Sequence, residues 1–350
     1  MAQLETSPSR PVATLDEVAR VAGVSRATVS RVVNGSPKVS ADVRRTVEKA
    51  IDRLGYVPNR AARSLVTRRS DSIAVVITEP ANRLFSDPFF PRLVRGVSAA
   101  LSVRDLQLVL LMPNDDVDEQ RTVRYLTAGH VDGVILVSLH GDDPLPDQLA
   151  ARRIPSVVLG RPSRGADIDY VDADNRDGAR KATAHLVDTG RQRVATITGP
   201  RDMVAGIDRL AGYRDALADA GITIDDGLIA TGDFTQAGGE AAMERLLRDR
   251  PDLDAVFCAS DLMAVAALDV LQAAGRRVPE DVAIVGYDDS PIATTTRPAL
   301  TSVRQPIEEM GREMVSLLAG TIERTDRIPR HVVLTTELIA RASSAGRAMP

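Results

Sequence analysis

Two hydrophobic rhythms divide the chain. From residue 14 to residue 54 apolar side chains recur at helical spacing in three short stretches. Leu15, Val18, Ala19 and Ala22 make one stripe, Val29, Val32 and Val33 a second, and Val43, Val47, Ala50, Ile51 and Leu54 a third. Thr14, with Glu17 three residues on, reads as a capping box at the start of the first helix. Gly23 and Val24 make a turn, and Ser25 is a good N-cap for the second helix, which is expected to run to about Asn34 and stop at Gly35. A third helix fits residues 40–54, ended by Gly55.

From residue 72 the rhythm changes to apolar, β-branched runs alternating with amphipathic stretches. Strands are predicted at 73–77, 106–111, 134–137, 156–159, 194–198, 228–230, 255–258 and 282–285. Helices are predicted between them at 90–104, 117–128, 145–152, 179–189, 206–220, 238–248 and 262–274. Strands this apolar, alternating with helices, indicate parallel sheets covered on both faces. Eight units in two sets of four indicate two doubly wound lobes. The order then breaks, with a strand at 300–303, a helix at 307–318 and a last strand at 332–336.

Charge sharpens this division. The net charge is -4, but residues 10–69 hold 13 basic and five acidic side chains, against 31 and 43 in the remainder. A basic head on an acidic body points to a polyanion partner for the head alone. The single cysteine, Cys258, lies in the apolar run AVFC and reads as a small core residue, so no internal disulfide forms. The first 12 residues are polar, with two prolines and no apolar signal region; they read as a disordered tail. With no run near the length of a membrane helix, a soluble, cytoplasmic protein is expected, with no membrane partner.

On the second helix the valines share one face, while Ala27, Ser30 and Arg31 lie opposite and Arg26 projects from the first turn. Such a helix suits the DNA major groove: arginine pairs bidentately with guanine, and a small apolar side chain touches a thymine methyl. Ser25, Thr28 and Ser30 suit phosphate oxygens. Thr14, at the start of the first helix, and Asn34, at the end of the second, complete the head's candidate DNA contacts. A solvated face on some other helical hairpin would carry the same arginines. Residues 58–69, PNRAARSLVTRR, are strongly basic and long enough for one or two helical turns, which are marginal alone in water. A basic linker describes this segment equally well.

The sequence resembles the lactose-repressor (LacI/GalR) family of bacterial transcription regulators. The head carries T-L-x-x-V-A-x-x-A-G-V-S at 14–25, T-V-S-R-V-V-N-G at 28–35 and G-Y-x-P-N at 55–59. The body carries F-F-x-x-L-x-x-G-V at 89–97, V-D-G-V-I-L at 131–136, R-L-A-G-Y at 209–213, G-D-F at 232–234, A-V-F-C-A-S-D-L-M-A at 255–264, V-A-I-V-G-Y-D-D at 282–289 and L-T-S-V-R-Q-P at 300–306. The resemblance implies a multidomain α and α/β protein: a helix-turn-helix head at 13–57, a hinge helix at 58–70, and a two-lobed periplasmic-binding-protein-like core at 71–345. Its N-lobe is expected from about 71–174 and 305–332, and its C-lobe from about 175–304 and 333–345. Arg26, Ala27 and Arg31 then occupy base-choosing positions. Asn59, Ala62, Arg63 and Leu65 fall on the hinge, with Leu65 at the place of a minor-groove wedge. Double-stranded operator DNA, a small polar effector such as a sugar, and a second copy of the chain are the implied partners. The family's tetramers use a heptad tail; this chain ends in LIARASSAGRAMP, so a homodimer is expected.

In open α/β sheets ligands bind beyond the carboxyl ends of strands. By family position Phe90, Arg209, Phe234, Ser260, Asp288 and Gln305 are effector contacts, joined by Phe89 and Arg161. Aromatic faces with carboxylates and guanidinium groups suit a polyol, whose hydroxyls both donate and accept. Phe89, Phe90 and Phe234 serve equally well as core aromatics. Asp261 is expected to N-cap the following helix, and Asp289 reads equally as a loop or turn residue. Many relatives keep an acidic residue after the fourth strand, where this chain has Gly160 and Arg161. The loop at 80–88, with Arg83 and Asp87, adds to the rim. No cofactor, metal site or catalytic residue is expected. G-x-G-x-x-G after the first strand, G-K-[ST] and G-x-S-x-G are absent, and the four histidines are scattered. A regulator is the expected function, most simply a repressor; a soluble sugar-binding or transport protein is the alternative, and it lacks an export signal.

Overall fold

The computed structural model describes residues 13–33, 36–56, 69–162, 168–323 and 328–345. The expected tail at 1–12, Asn34, and the hinge residues Asn59, Ala62, Arg63 and Leu65 lie outside them. The chain divides into two units, residues 1–70 and 71–350.

Among its described residues the first unit holds three helices: α1 (Leu15–Ala22), α2 (Arg26–Val33) and α3 (Ala41–Leu54). Their apolar stripes meet in one small core of Val18, Ala19, Val29, Val32, Val47, Ala50 and Tyr56. The capping box forms as the sequence requires: the Thr14 hydroxyl accepts from the Glu17 amide at 3.3 Å, and the Glu17 carboxylate accepts from the Thr14 amide at 2.7 Å. Gly23 ends α1 with φ +67°, where a Cβ would be strained.

The second unit is two six-stranded sheets. The N-lobe sheet has the order β11-β5-β4-β3-β1-β2 and is parallel throughout. Its strands are β1 (Ser72–Ile77), β2 (Gln107–Leu111), β3 (Gly133–Val137), β4 (Ser156–Leu159), β5 (Asp169–Ala173) and β11 (His331–Leu334). The C-lobe sheet has the order β12-β10-β9-β8-β6-β7, with only β12 antiparallel. It comprises β6 (Val194–Thr198), β7 (Ile229–Thr231), β8 (Ala255–Cys258), β9 (Ala283–Asp288), β10 (Thr301–Arg304) and β12 (Glu337–Ile339). Each sheet has an apolar cluster on both faces, so its central strands read as largely hydrophobic runs.

The helices are α4 (Ala81–Ser86), α5 (Phe89–Ser102), α6 (Asp116–Thr127), α7 (Leu145–Ala151), α8 (Asn175–Asp188), α9 (Val204–Asp219), α10 (Gln236–Asp249), α11 (Asp261–Ala273) and α12 (Ile307–Glu323). The chain crosses between lobes three times: from β5 to α8, from β10 to α12, and from β11 to β12. The last crossing falls at 335–336, so β11 keeps Val333 and Leu334 in the N-lobe sheet, past the boundary expected at 332. The expected 80–88 loop is corrected too, since it holds α4. Among the described residues no helix is long and apolar enough to cross a membrane.

In the N-lobe α5 and α12 cross at two glycines. A Cβ on Gly96 would overlap the Glu308 carbonyl, and one on Gly311 would press on the Leu93 carbonyl and the Val97 amide. Arg92 on α5 reinforces the crossing with two 3.0 Å bonds to Glu308. This crossing sets the start of α5, where Phe89 and Phe90 stand, against the second lobe crossing, where Gln305 stands.

Candidate functional site

In the head, Ser25 caps α2, accepting from the Thr28 amide at 3.2 Å and pairing with the Thr28 hydroxyl at 2.9 Å. Val29 and Val32 are buried, while Arg26, Ala27 and Arg31 are exposed, and Thr28 and Ser30 are half-buried. Thr14 is exposed and spends its hydroxyl on the capping box. Arg26 lies 3.6 Å from Asp16 on α1. This exposed pair is weak, so it leaves the guanidinium available. Asp16 had no signal in the sequence beyond its place in the first turn of α1.

In the core a cavity of about 290 Å³ lies between the lobes at the carboxyl ends of the strands. Phe89, Phe90, Arg161, Arg209, Phe234, Ser260, Asp288 and Gln305 all line it. The two adjacent phenylalanines meet edge to face, centroids 5.4 Å apart, and Phe90 is the buried one of the pair. Phe234, from the C-lobe, has φ +67°, rare for an aromatic residue. Its ring lies where a Cβ on Gly199 would stand, so that glycine makes room for it. Ser138, Asp288 and Asp289 also have positive φ. Such backbone strain gathers at ligand sites, where the surrounding packing holds it in place.

Arg209, on α9, is the hub. Its Nε donates to the Asn175 side-chain oxygen at 2.9 Å and its Nη1 to the Ala259 carbonyl at 2.5 Å. Nη1 is also 3.7 Å from the Asp288 carboxylate, and the guanidinium carbon lies 3.7 Å from the Tyr287 ring centroid. Asp288 accepts in turn from Gln305 Nε2 at 2.6 Å. Burial pushes the Asp288 carboxyl up from its ordinary value, opposed by Arg209. Arg161 pairs with both oxygens of Asp208 at 2.9 and 3.1 Å, an ion pair between lobes.

Two aspartates act beneath this layer. Ser260, not the expected Asp261, caps α11, accepting from the Met263 amide at 3.3 Å. Either residue of the Ser-Asp pair has capping chemistry; the chain turns so that Asp261 points inward. Buried Asp261 accepts from the Ser290 amide (2.7 Å), the Ser290 hydroxyl (2.9 Å) and the Ser302 hydroxyl (2.6 Å). It ties β10 to the loop after β9, which fixes Asp288. Asp289, in a left-handed turn, is paired with Arg304 at 2.7 Å and Arg341 at 2.5 Å.

Sequence reasoning missed Asp172 and Asn175, which line the same cavity. Asp172 accepts from the Ala173 amide at 2.8 Å, Asn175 Nδ2 at 3.0 Å and the Arg161 amide at 3.2 Å. Burial pushes its carboxyl up to about 6, against the two amide bonds, with Asp208 adding to the rise. A carboxyl raised above its unfolded value of about 3.9 contributes stability that is fully present below that value and is lost as pH rises through about 6. Relative to Asp172→Asn, the wild-type core should therefore gain roughly 1 kcal/mol on acidification from about pH 7.5 to about pH 5. Denaturant melts of both proteins at the two pH values check this; equal pH slopes would remove Asp172 from the account. Among the described residues no cluster of His, Cys, Asp or Glu has the arrangement to hold a metal ion.

Known proteins share both units. Residues 14–59 match the family of bacterial regulatory proteins, lacI family, and residues 183–344 match a periplasmic binding protein-like domain. The HTH-type transcriptional regulator CelR of Thermobifida fusca is 53% identical over 94% of this chain and 98% of its own length. The chain belongs to the lacI family of bacterial regulatory proteins. The ribose operon repressor of Escherichia coli strain K12 is 37% identical over 95% of this chain and all of its own. Among solved structures, the CelR–cellobiose complex is 51% identical with a TM-score of 0.77, covering 95% of this chain and 99% of that one. The lac repressor dimer bound to operator and the anti-inducer ONPF is 28% identical with a TM-score of 0.82 over the same shares. Membership in the lacI family makes this chain a transcription regulator with a DNA-binding head, and not an enzyme. It also accounts for the helix-turn-helix head and the two-sheet core as one architecture.

Proposed function

We propose that this lacI-family regulator is a repressor that binds a pseudo-palindromic operator as a homodimer and is controlled by a small neutral sugar held between its lobes. The cavity carries the reading. Its three arginines already have acidic partners: Arg209 with Asp288, Arg161 with Asp208, and Arg83 with Glu79. With each guanidinium already countered, and Asp87, Asp142, Asp143, Asp147, Asp172 and Asp202 also lining the cavity, an anionic effector is disfavoured. What remains is a mixed set of donors and acceptors beside the rings of Phe89, Phe90 and Phe234, the chemistry of a polyol with apolar C–H faces. The CelR–cellobiose complex, at 51% identity, supports a disaccharide as the first compound to try. The head matched over residues 14–59 argues against a transport role.

In this reading Arg26, Ala27 and Arg31 meet bases, Thr14, Ser25, Thr28, Ser30 and Asn34 meet the backbone or its neighbourhood, and the segment with Asn59, Ala62, Arg63 and Leu65 meets the minor groove. The eight cavity residues named from the sequence meet the sugar. Selection of operators from a random duplex pool, followed by anisotropy titrations with and without cellobiose, tests the whole scheme. Operator affinity should fall steeply with salt, and the sugar should shift it in one direction. A flat salt response overturns the DNA reading. Arg26→Ala should weaken the selected operator by about 1–3 kcal/mol and relax preference at one position of each half-site. An unchanged base preference would move the reading contact away from Arg26.

A further inference from the structure

Arg83, on α4, lines the cavity, and its charge is met by Glu79 but its donors are not fully used. Its Nη1 donates to the Glu79 carboxylate at 2.5 Å. Its Nε is buried and has no hydrogen-bond partner. A buried N–H left unmade is costly, and an oxygen placed opposite it removes the cost. The guanidinium carbon lies 5.9 Å from the centroid of Phe90 and 5.4 Å from that of Phe234, one ring from each lobe. Both rings line the cavity. Arg83 therefore stands where the two lobes and the cavity meet.

Its partner leads along the cavity wall, to a part of the lobe seam where Gly141 and Asp202 also line the cavity. Glu79 is 3% exposed, and the same carboxylate oxygen that takes Arg83 also lies 3.2 Å from His140 Nε2. The other ring nitrogen, Nδ1, lies 3.0 Å from the carboxylate of Asp202. Glu79 and His140 belong to the N-lobe, whereas Asp202 follows β6 in the C-lobe. Beside this link the Gly141 amide donates to the Asp202 carbonyl at 2.9 Å, again from lobe to lobe. An imidazole with a carboxylate at each nitrogen is held most strongly when it donates from both, and these two partners raise its basicity. Four polar side chains thus run without a break from Arg83 to the lobe seam at the other side of the cavity mouth: Arg83, Glu79, His140 and Asp202.

We propose that Arg83 reads an oxygen of the bound sugar through Nε and that Glu79 and His140 pass its position to the lobe seam at Asp202. This rests on the sugar reading above and assigns a recognising residue and a route to it. A sugar oxygen on Nε completes the guanidinium's bonds and pins the fork. The pinned fork fixes the Glu79 carboxylate, and a fixed Glu79 presents His140 squarely to Asp202. Sugar binding and seam closure then strengthen each other, as linkage requires.

The test uses the full chain, with cellobiose, glucose and ribose as probes. Calorimetry reads affinity, and hydrogen exchange of the segment containing Gly141 reads the seam. Arg83→Lys keeps the charge beside Glu79 and removes the Nε donor. It should fold like the wild type, as judged by its melting curve, and lose about tenfold or more in affinity for the probe that binds best. His140→Gln should still bind that probe, but the sugar should no longer slow exchange at Gly141. Arg83→Lys binding as tightly as wild type overturns the reading role. Sugar-dependent protection at Gly141 that survives in His140→Gln overturns the route. If Arg83→Lys fails to fold, the His140→Gln outcome still decides the route, and Arg83→Gln takes its place for the reading role. A wild-type chain indifferent to all three sugars overturns the sugar reading itself and this inference with it, whereas a responsive wild type beside equally responsive variants overturns this inference alone.

Discussion

Arg209→Met is expected to abolish the response to effector and to destabilise the core by about 3–5 kcal/mol. Removing this guanidinium strands the Asn175 side-chain oxygen, the Ala259 carbonyl and the Asp288 carboxylate, all of which it now serves. The methionine fills much of the volume but makes none of these bonds. Asp288 loses the charge that opposes its burial, so its carboxyl should rise further. The Tyr287 ring also loses the cation lying against it. Arg209→Lys separates charge from geometry: it restores a cation but cannot span Asn175 and Ala259 together, so it should recover part of the stability and little of the response. Chemical denaturation reads the first effect and sugar-dependent operator binding the second. A methionine variant that melts like wild type and still answers to sugar would remove Arg209 from the centre of the site.

Gly96→Val is expected to have the other large effect, at least about 2–3 kcal/mol in core stability with a loss of effector affinity. Its Cβ would overlap the main chain of Glu308, which belongs to a rigid helix and cannot rotate away as a side chain would. The helices α5 and α12 must separate. Phe90 rides on the first turn of α5 and Gln305 lies just before α12, so two lining residues move apart with them. Gly320, also on α12, has nothing within reach of an added Cβ. Gly320→Ala should leave effector affinity alone and stabilise slightly, by up to about 1 kcal/mol, because alanine is the better helix former. Opposite signs at two glycines of one crossing pair would show that proximity, not glycine content, governs the result.

Where one face or both of an element is apolar, its pattern was legible. All three head helices and ten of the twelve strands lie where hydrophobic runs put them. β5 was not legible because its residues, DYVDA, are partly acidic. Its carboxylates are not core intruders: Asp169 accepts from the Arg330 amide and the Thr321 hydroxyl, and Asp172 faces the cavity. Missing that strand hid both Asp172 and Asn175, the residue that opens the next helix. β12 is three residues long and α4 is six residues between prolines, too short for any periodicity to register. The cavity residues were legible because strand ends mark the ligand face of an α/β sheet, and the family resemblance chose among them. The Glu79–His140–Asp202 link was not, since nothing in sequence tells a loop histidine that it will meet an aspartate 62 residues away in another lobe.

The two return strands have a consequence for synthesis. β11 and β12, residues 331–339, supply an edge to each sheet. The head, by contrast, is contiguous between residues 13 and 56 and closes its core from neighbours in sequence. On the ribosome the DNA-reading part can therefore fold some 280 residues before the sensing part is complete. Until Leu334 emerges β5 waits with an unpaired edge, and until Ile339 emerges so does β10. A stop codon upstream of β11 takes an edge strand from both lobes, so such nonsense alleles should yield a head without a complete sensor rather than half a sensor.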